Sequence, residues 1–327
     1  MKLIVNIPAY NEDTLIGGTI QKIKESFNAE FYSKKGAAID EKIIQVVDDG
    51  STDDTARKAK EAGADIVISY KPNRRLAYSF KQAVESSLKN NADLMVNIDA
   101  DGQFNPYDIP KLLTPILDGK ADMVIANRFG EKEAKNIPWI RKSLNKFAAN
   151  VIGFFLNYKT NDLTCGFRAH NRETLLKLNL TNVHFTYTQE TIIDAIGKNL
   201  KLFWVPIEVT YFDNRDAKIT KSIWKFVNNS TKIILKAIRD IRPMKFFGIP
   251  GLFLIFLSLV SLGIFLVNYS ISFQITPFRN YLIFGIALFL VGLQFVVFAL
   301  IADMIKSSRQ LTEELMYQWK KDRYDTK

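Results

Sequence analysis

The chain has 327 residues, 47% of them hydrophobic, so it is long enough for two domains and can bury a sizeable core. Its 44 lysines and arginines outnumber its 34 acidic residues, and the net charge of +10 is typical of proteins that bind nucleic acid, an anionic membrane surface or a phosphorylated ligand. The single cysteine, Cys165, excludes an internal disulfide and a cysteine-ligated metal cluster. The N-terminus reads as a short strand ending at Pro8 rather than as a secretory signal, which predicts a cytoplasmic location for this part.

Strand-like and helix-like segments alternate through the first half of the chain. We predict strands at residues 3–7, 43–47, 66–69, 94–98 and 122–126, and helices at residues 14–27, 52–62, 76–88 and 107–117. This order predicts an α/β fold with a doubly wound, mainly parallel sheet. Ligands of such sheets bind beyond the carboxyl ends of the strands.

Polar clusters follow four of the predicted strands. They are Pro8-Ala-Tyr-Asn-Glu12, Asp48-Asp-Gly-Ser-Thr52, Asp99-Ala-Asp101 and Asn127-Arg128. In the second cluster, Asp48 or Asp49 can accept hydrogen bonds from a ribose or a base, although the same run is also compatible with a well-capped turn. No G-x-G-x-x-G motif follows the first strand and no Walker lysine is present, which disfavours dinucleotide-binding and P-loop interpretations.

The third cluster places two carboxylates at the end of an apolar strand. Alternate residues of a strand share one face, so Asp99 and Asp101 project together. Carboxylate oxygens suit Mg²⁺ or Mn²⁺, which keep several waters and accept phosphate oxygens as further ligands. A solvated acidic turn is the alternative. The two histidines, His170 and His184, lie in unrelated contexts, and we expect them to be structural or exposed rather than zinc ligands.

Two uncharged apolar runs, residues 246–268 and 281–302, lie in the last third of the chain. Each is long enough to cross roughly 30 Å of hydrocarbon as a helix, and a pair of buried core helices is the alternative. Basic residues lie before the first run and after the second, whereas the short loop between them carries only Arg279. This asymmetry predicts two membrane spans with both termini in the cytoplasm.

The segment before the first run reads as an amphipathic helix. Apolar residues recur at roughly helical spacing among lysines and arginines, so the helix either lies in the membrane interface or packs as a connector on the soluble domain. We therefore predict a sheet domain at residues 1–220, an interfacial helix at 221–245, two spans within 246–303 and a cytoplasmic tail at 304–327. The sequence does not decide whether the tail is helical or disordered.

Three ordered motifs resemble the nucleotide-sugar-binding half of family 2 glycosyltransferases. They are Ile7-Pro-Ala-Tyr-Asn-Glu12, Val46-Val-Asp-Asp-Gly-Ser-Thr-Asp53 and Asn97-Ile-Asp-Ala-Asp-Gly-Gln103. Further motifs resemble the branch that glycosylates polyprenyl phosphates such as dolichol or undecaprenyl phosphate, the dolichol-phosphate mannose synthase type: Ala126-Asn-Arg-Phe129, Asp162-Leu-Thr-Cys-Gly-Phe-Arg168, Phe185-Thr-Tyr-Thr-Gln-Glu190 and Val205-Pro-Ile207. The resemblance covers about residues 1–245 and implies a GT-A fold. Members of that branch also include proteins with two spans.

The resemblance implies a role for each matching position. Asp99 and Asp101 would face the donor diphosphate and the metal, and Arg128 would approach the phosphates or the acceptor. Glu190 would orient an arginine or a sugar hydroxyl, or merely favour a helix N-terminus as a negative charge. The residues assigned to the nucleotide sugar are Pro8, Tyr10, Glu12, Asp48, Asp49, Asp99, Gln103 and Glu190.

A lipid phosphate acceptor carries about −1.5 to −2 charges at pH 7, so it needs positioning and cations rather than a strong general base. The sequence offers Arg128, Arg141, Lys142, Arg168, Arg215, Lys218 and Lys221. Among these the resemblance favours Arg215 with Lys221 for the acceptor phosphate, and we add Arg141. The residues assigned to catalysis are Asp101, Arg128, Arg215 and Lys221.

The chain departs from the family pattern at Asn73-Arg-Arg-Leu-Ala77, where relatives often carry N-x-G-L-G. This departure puts a close backbone approach in doubt there, although Arg74 and Arg75 can supply charge instead. Cys165 stands where serine is frequent.

These inferences predict a membrane-anchored, metal-dependent, inverting hexosyltransferase. It would use Mg²⁺ or Mn²⁺ to move a mannose- or glucose-type sugar from a GDP- or UDP-hexose to a polyprenyl phosphate for glycan or glycoprotein assembly, and it would not bind nucleic acid. A processive polysaccharide synthase is one alternative, but it would need more spans and a Gln-x-x-Arg-Trp motif, which is absent. A non-catalytic, membrane-tethered nucleotide-sugar-binding protein is the other.

Overall fold

The structure, a computed structural model, describes residues 1–33, 39–129, 150, 153–154, 158–179, 187–209, 235, 238–276 and 278–325. It separates into two compact units. The sheet unit comprises Met1–Gly153, Tyr158–Ile233 and Leu315–Lys327, and the hairpin unit consists mainly of Ile234–Glu314. The predicted site residues Arg141, Arg215 and Lys221 lie outside the described residues, as do Lys142, His184 and Lys218 and most of the predicted interfacial helix.

Strands and helices alternate through most of the sheet unit. The strands are β1 (Lys2–Ala9), β2 (Glu41–Asp48), β3 (Ile66–Ser69), β4 (Leu94–Asn97), β5 (Met123–Asn127), β6 (Arg168–Asn171) and β7 (Leu202–Pro206). The helices are α1 (Ile16–Ser26), α2 (Thr55–Glu61), α3 (Leu76–Lys89), α4 (Ile109–Leu117), α5 (Arg172–Lys177) and α6 (Tyr187–Gly197). Short 3₁₀ turns at Glu30–Ser33 and Pro106–Asp108 also belong to this unit. A π-helical turn (Met244–Gly248), α7 (Ile249–Ser272) and α8 (Arg279–Asp325) follow, and α8 belongs to the hairpin unit up to Glu314 and to the sheet unit from Leu315.

The seven strands form one mixed sheet in the order β3-β2-β1-β4-β6-β5-β7. β6 runs antiparallel to β4 and β5, whereas the other neighbouring pairs are parallel. The central strands are buried almost along their whole length, as expected when helices cover both faces of a parallel sheet. The predicted mainly parallel, doubly wound sheet is therefore confirmed. The antiparallel strand was not predicted, because Arg168-Ala-His-Asn171 lacks an apolar strand pattern.

Three buried amide side chains cross the centre of the sheet. Gln45 Nε2 donates to Asn6 Oδ1 at 3.0 Å, and Asn6 Nδ2 donates to Asn97 Oδ1 at 2.7 Å. These residues are direct neighbours on β2, β1 and β4. A slip of one residue would leave buried amides unpaired and reverse every side chain of the strand, so this amide ladder fixes the register of the three strands. Their carboxyl ends consequently stop at matching positions.

Helices α7 and α8 pack against each other through buried residues at seven-residue intervals, all of them small except Phe265. The buried positions are Gly251, Ser258 and Phe265 on α7, and Gly285, Gly292 and Ala299 on α8. Ser258 Oγ donates to Gly285 O at 2.7 Å. Small residues at this spacing let two helix backbones approach closely, as in helix pairs within membranes.

The other faces of the hairpin are apolar and exposed. In each helix the most apolar 18-residue window has a mean hydropathy of at least 2.5, and 17% of that window is buried. Both helices are long and apolar enough to cross a membrane, close to the predicted spans. Exposed phenylalanines such as Phe253 and Phe284 distinguish them from the buried helices of a soluble core.

The close approach of α7 and α8 predicts opposite effects for two alanine substitutions. A Cβ at Gly292 would lie 2.8 Å from Ile255 Cγ1 and 2.9 Å from Gly251 O, whereas a Cβ at Gly263 would meet nothing within 4 Å. We expect Gly292→Ala to destabilise the hairpin by about 1–3 kcal/mol through overpacking. Gly263→Ala should leave it unchanged or stabilise it, because alanine favours a helix by about 1 kcal/mol over glycine.

Loss of helical circular dichroism on heating in detergent, with the full chain, measures both effects. Equal melting curves for the two variants would contradict the packing described for the hairpin.

Candidate functional site

The loops that follow β1 and β2 are joined by hydrogen bonds. Asn11 N donates to Ser51 Oγ at 2.9 Å, and Thr52 N donates to Asn11 Oδ1 at 2.9 Å. Glu12 N donates to Thr55 Oγ1, also at 2.9 Å. Asn11 has φ of 54°, a left-handed conformation that asparagine tolerates better than most residues. The sequence interpretation missed this asparagine, although an Asn directly after a strand was a signal for such a turn.

The predicted nucleoside-binding side chains lie on this joined surface. Pro8 is buried at the end of β1, whereas Tyr10 just beyond it is exposed by 47%. Glu12 is half-buried. An exposed aromatic ring beside a fixed loop is suited to contact with a base or a ribose.

The two neighbouring aspartates after β2 have different environments. Asp48 accepts from Ser51 N at 3.0 Å through Oδ1 and from Ser69 Oγ at 2.6 Å through Oδ2. Asp49 Oδ1 accepts from Arg74 N at 2.8 Å. Asp48 therefore shapes the turn with both of its oxygens. Asp49 is 5% exposed and also interacts with the hydroxyl of Tyr70 in the loop after β3.

Gly50 is required where the loop after β3 meets this turn. Its φ is 74°, and a Cβ there would lie 2.9 Å from both Asn73 N and Tyr70 O. Any other residue would push the two loops apart. The loops after β2 and β3 therefore meet through backbone packed against backbone.

The stretch at residues 73–77, which departs from the family pattern, lies in the loop after β3 and at the start of α3. Arg75 has φ of 72° and ψ of 162° at the start of α3, a conformation that glycine adopts far more easily than arginine. The guanidinium of Arg74 stacks over the Tyr78 ring at 4.8 Å from its centroid. The loop thus keeps a glycine-like backbone at Arg75 while it carries two cations.

The two carboxylates of the Asp-x-Asp motif lie at the end of β4, as predicted. Asp101 Oδ1 accepts from Gln103 N at 3.0 Å, which holds the turn beyond the strand. Burial, reinforced by the charge of Asp101, raises the pKa of Asp99 to about 7. The charge of Glu12 acts in the same direction, and that of Arg128 opposes it. Glu12, Asp99, Asp101 and Arg128 therefore share one electrostatic neighbourhood.

These carboxylates fit a divalent cation that also binds phosphate. Among the described residues, no three His, Cys, Asp or Glu side chains converge as a ready-made metal site. Mg²⁺ and Mn²⁺ do not need such a cage, since one or two carboxylates, waters and phosphate oxygens complete their coordination. The repulsion between Asp99 and Asp101 is the feature that a bound cation would relieve.

Arg128, at the end of β5, is fixed by a buried carboxylate. Its Nε donates to Asp162 Oδ2 at 2.7 Å, and its Nη2 donates to Asp162 Oδ1 at 3.0 Å and to Thr164 Oγ1 at 2.6 Å. Burial opposes ionisation of Asp162, but the charge and hydrogen bonds of Arg128 outweigh it, so the pKa of this carboxyl lies below its ordinary value. The sequence interpretation named Arg128 but not its partner.

Arg168, also considered for the acceptor phosphate, has a different position. It is fully buried, and its guanidinium donates to Cys165 O at 2.7 Å, to Leu163 O at 3.3 Å and to Thr191 Oγ1 at 2.5 Å. It therefore joins β6 to α6 and is not an exposed cation.

The first turn of α6 contains Tyr187 and Glu190. Tyr187, its first residue, is buried, and its hydroxyl lies 3.4 Å from Asn97 Nδ2 at the end of the amide ladder. Glu190 lies in the first turn and is half-buried.

His170 is fully buried beside Phe80, and burial lowers its pKa to about 3, so it is a neutral core residue.

An open cleft of about 790 Å³ borders the Asp-x-Asp loop. Its walls include Gln103, Lys22 of α1, Lys111 of α4 and Glu208 beyond β7. Its volume is within the range of small-molecule binding sites.

The Arg128–Asp162 pair yields a stability prediction. Asp162→Ala would leave a largely buried guanidinium without its carboxylate, and we expect a loss of about 3–5 kcal/mol in the free energy of unfolding. Glu85→Ala removes the i,i+4 partner of the exposed Lys89. It should lower the free energy of unfolding by about 0.5 kcal/mol or less. Urea unfolding of the two variants compares the costs. A similar small loss in both would show that Asp162 does not anchor Arg128.

Comparison with known proteins agrees with this geometry. The family model described as "Glycosyl transferase family 2" matches residues 4–178. UDP-N-acetylglucosamine--dolichyl-phosphate N-acetylglucosaminyltransferase of Methanococcus voltae is 28% identical over 234 residues, which cover 65% of this chain and 88% of that protein. Polyprenol monophosphomannose synthase of Mycolicibacterium smegmatis is 28% identical over 218 residues, covering 64% and 77% respectively.

A solved structure shares the fold. Glucosyl-3-phosphoglycerate synthase of Mycobacterium tuberculosis, crystallised with Mn²⁺, UDP and phosphoglyceric acid, matches with a TM-score of 0.54 at 20% identity over 72% of this chain and 78% of that chain. The same enzyme has also been crystallised with Mg²⁺ and UDP. The mixed, mostly parallel sheet is thus of the GT-A type, as expected. The chain belongs to glycosyltransferase family 2.

Proposed function

We propose that this protein transfers one hexose from a UDP- or GDP-hexose to a polyprenyl phosphate, with a divalent cation and with inversion at the anomeric carbon. The observation that carries the proposal is the pair Asp99 and Asp101 at the sheet end, where the pKa of Asp99 is raised by burial and by its neighbour. Two relatives named for transfer to dolichyl phosphate or for polyprenol monophosphomannose synthesis support the acceptor class.

The donor is held by the joined loops after β1 and β2. Tyr10 contacts the nucleoside, and Asp49 accepts hydrogen bonds from its hydroxyl or amino groups. Asp99 and Asp101 are the residues that would hold Mg²⁺ or Mn²⁺. When bound, such a cation neutralises the leaving group and acts as a Lewis acid.

Transfer is a single displacement. A phosphate oxygen of the acceptor forms the new bond to the anomeric carbon, and the bond from that carbon to the donor diphosphate breaks, with its electron pair leaving on the nucleoside diphosphate. The attacking oxygen is already ionised, so no strong base is needed. Arg128, fixed by Asp162, offsets the repulsion between acceptor phosphate and diphosphate. Arg141, Arg215 and Lys221 supply further positive charge.

The acceptor reaches the site from a membrane. We assign α7 and residues 281–302 of α8 as two spans because their apolar faces are exposed and their lengths suffice. The basic residues that flank the two spans support a topology with both termini in the cytoplasm, and the predicted interfacial segment at 221–245 belongs to the same proposal. A lipid phosphate is accessible there without leaving the membrane.

A panel of radiolabelled nucleotide sugars, incubated with membranes that contain the protein and with added polyprenyl phosphate, tests the proposal. The expected product is labelled polyprenyl-phosphate sugar in the organic extract. Donor binding without any lipid product would favour a non-catalytic binding protein, and a long water-soluble polymer would favour a processive synthase. The panel also identifies the sugar and the nucleotide, since the two named relatives differ in sugar.

Replacement of Asp101 gives the first functional prediction. Asp101→Ala removes one carboxylate of the proposed cation site, and we expect at least a hundredfold loss of transfer with an unchanged circular dichroism spectrum. Asp118→Ala is the matched control, because Asp118 is exposed and paired with Lys120 at 2.8 Å on the surface. The same loss should occur when a chelator is added to the wild-type protein. Full activity in chelator would contradict metal dependence.

Replacement of Lys221 tests the acceptor side. Lys221→Ala removes a cation beside the proposed interfacial helix, so we expect a higher KM for polyprenyl phosphate and little change in the KM for the donor. Initial rates at varied lipid and varied donor separate the two constants. An effect confined to the donor would assign Lys221 to the nucleotide instead.

A further inference from the structure

The last eleven residues of α8 are part of the sheet unit. We call residues 315–325 the C-terminal segment. The rings of Tyr317 and Tyr324 pack against the buried cluster that contains Phe80 and Leu175. Tyr317 donates from its hydroxyl to Glu173 Oε2 at 3.0 Å. A segment that the sequence left undecided is therefore an ordered helix packed on the core.

A second contact closes the end of this segment. Arg172, the first residue of α5, donates to Tyr324 O at 3.0 Å and to Asp325 Oδ1 at 2.7 Å. The same guanidinium also donates to Ala92 O at 3.0 Å, just before β4. The C-terminal segment is thus joined to the start of α5, and Arg172 connects both to the chain just before the central strand β4.

Lys320 makes the third contact of the C-terminal segment, and its side chain is half-buried. Its Nζ donates to Leu176 O at 3.2 Å, to Leu178 O at 2.8 Å and to Asn179 Oδ1 at 2.8 Å. Leu176 lies in the last turn of α5 and Leu178 is its C-cap residue, so both carbonyls are at the helix end where partners within the helix are lacking and the helix dipole is negative. One ammonium group, with all three of its protons used, closes that helix end.

The same turn is held from α6. Asn179 N donates to Asp194 Oδ2 at 3.0 Å, and Lys198 Nζ donates to Asp194 Oδ2 at 2.8 Å and to Lys177 O at 2.6 Å. Asp194 is 7% exposed, so these charges are largely withdrawn from water. Lys320, Asn179 and Asp194 therefore form a continuous set of contacts from the C-terminal segment to α6.

The opposite end of α6 lies at the candidate site. Tyr187 reaches Asn97 in the strand that leads to Asp99, and Glu190 lies in the first turn. A helix of eleven residues moves nearly as a rigid body, so its N-terminal turn depends on how its other end is held.

We infer that Lys320 is a positioning residue for sugar transfer, which acts by holding the turn between α5 and α6 so that Tyr187 and Glu190 stay in place beside the donor site. It touches no substrate. The nucleoside side of the site lies on the loops after β1 and β2, which are joined to each other through Asn11, Ser51 and Thr52. The inference rests on the proposed transferase function.

The test uses the full-length protein with Lys320→Met, which keeps the apolar stem and removes the ammonium. Lys321→Met, at an exposed neighbouring position, is the matched control. We expect about a tenfold fall in kcat, an unchanged Kd for the nucleoside diphosphate, and at least tenfold faster hydrogen exchange in residues 187–197. The control should match the wild type, and Lys320→Arg should recover part of the activity.

Unchanged kcat in Lys320→Met would overturn the inference, and so would equal weakening of kcat and nucleotide affinity, which indicates general loosening. If Lys320→Met does not fold, Asn179→Ala takes its place, since it removes one acceptor of Lys320 from a half-buried position. A fall in its kcat with unchanged nucleotide affinity supports the inference, and an unchanged kcat overturns it. Absence of transfer in the wild type would instead refute the proposed function, while the exchange measurement would still report on α6.

Discussion

The amide ladder of Gln45, Asn6 and Asn97 is the interaction on which the rest of the site depends. Amides buried inside a sheet are costly unless they pair, so the two hydrogen bonds between them permit a single register of β2, β1 and β4. That register brings the loops after β1 and β2 together with the end of β4. The ladder continues from Asn97 to Gly166 O at 3.1 Å and to the Tyr187 hydroxyl, so the second half of the sheet unit is set by the same side chains.

Once the strand ends are aligned, electrostatics give the site its character. Asp99 and Asp101 face each other's charge in partly buried surroundings, and Arg128 is held nearby by a fully buried carboxylate. A nucleotide sugar would bring a diphosphate whose charge has the same sign as that of the aspartates. A bound divalent cation would offset this repulsion, and Arg128 would contribute a further positive charge. The fixed guanidinium needs no reorganisation when charge shifts to the leaving group.

Much of the fold was predictable because the first half of the chain alternates clear apolar strand-like runs with helix-like segments. The runs that form β1, β2 and β4 are apolar, and each ends in a polar cluster, so both the sheet and the Asp-x-Asp position followed. β6 was not predictable, since Arg168 and His170 are polar residues buried through tertiary contacts. The Asp162 partner of Arg128 is 34 residues away along the chain, and the contact of Lys320 with Asn179 spans 141 residues. Pairs so distant in sequence leave no periodic signal.

The central claim is that Asp99 and Asp101 hold a divalent cation against the donor diphosphate. Electron paramagnetic resonance of Mn²⁺ with bound nucleoside diphosphate measures this directly, because phosphorus nuclei beside the metal give a resolved coupling. The account predicts that coupling in the wild-type protein and its loss in Asp99→Asn and Asp101→Asn. Nucleotide binding of equal strength without any divalent cation, and without phosphorus coupling when Mn²⁺ is present, would contradict it.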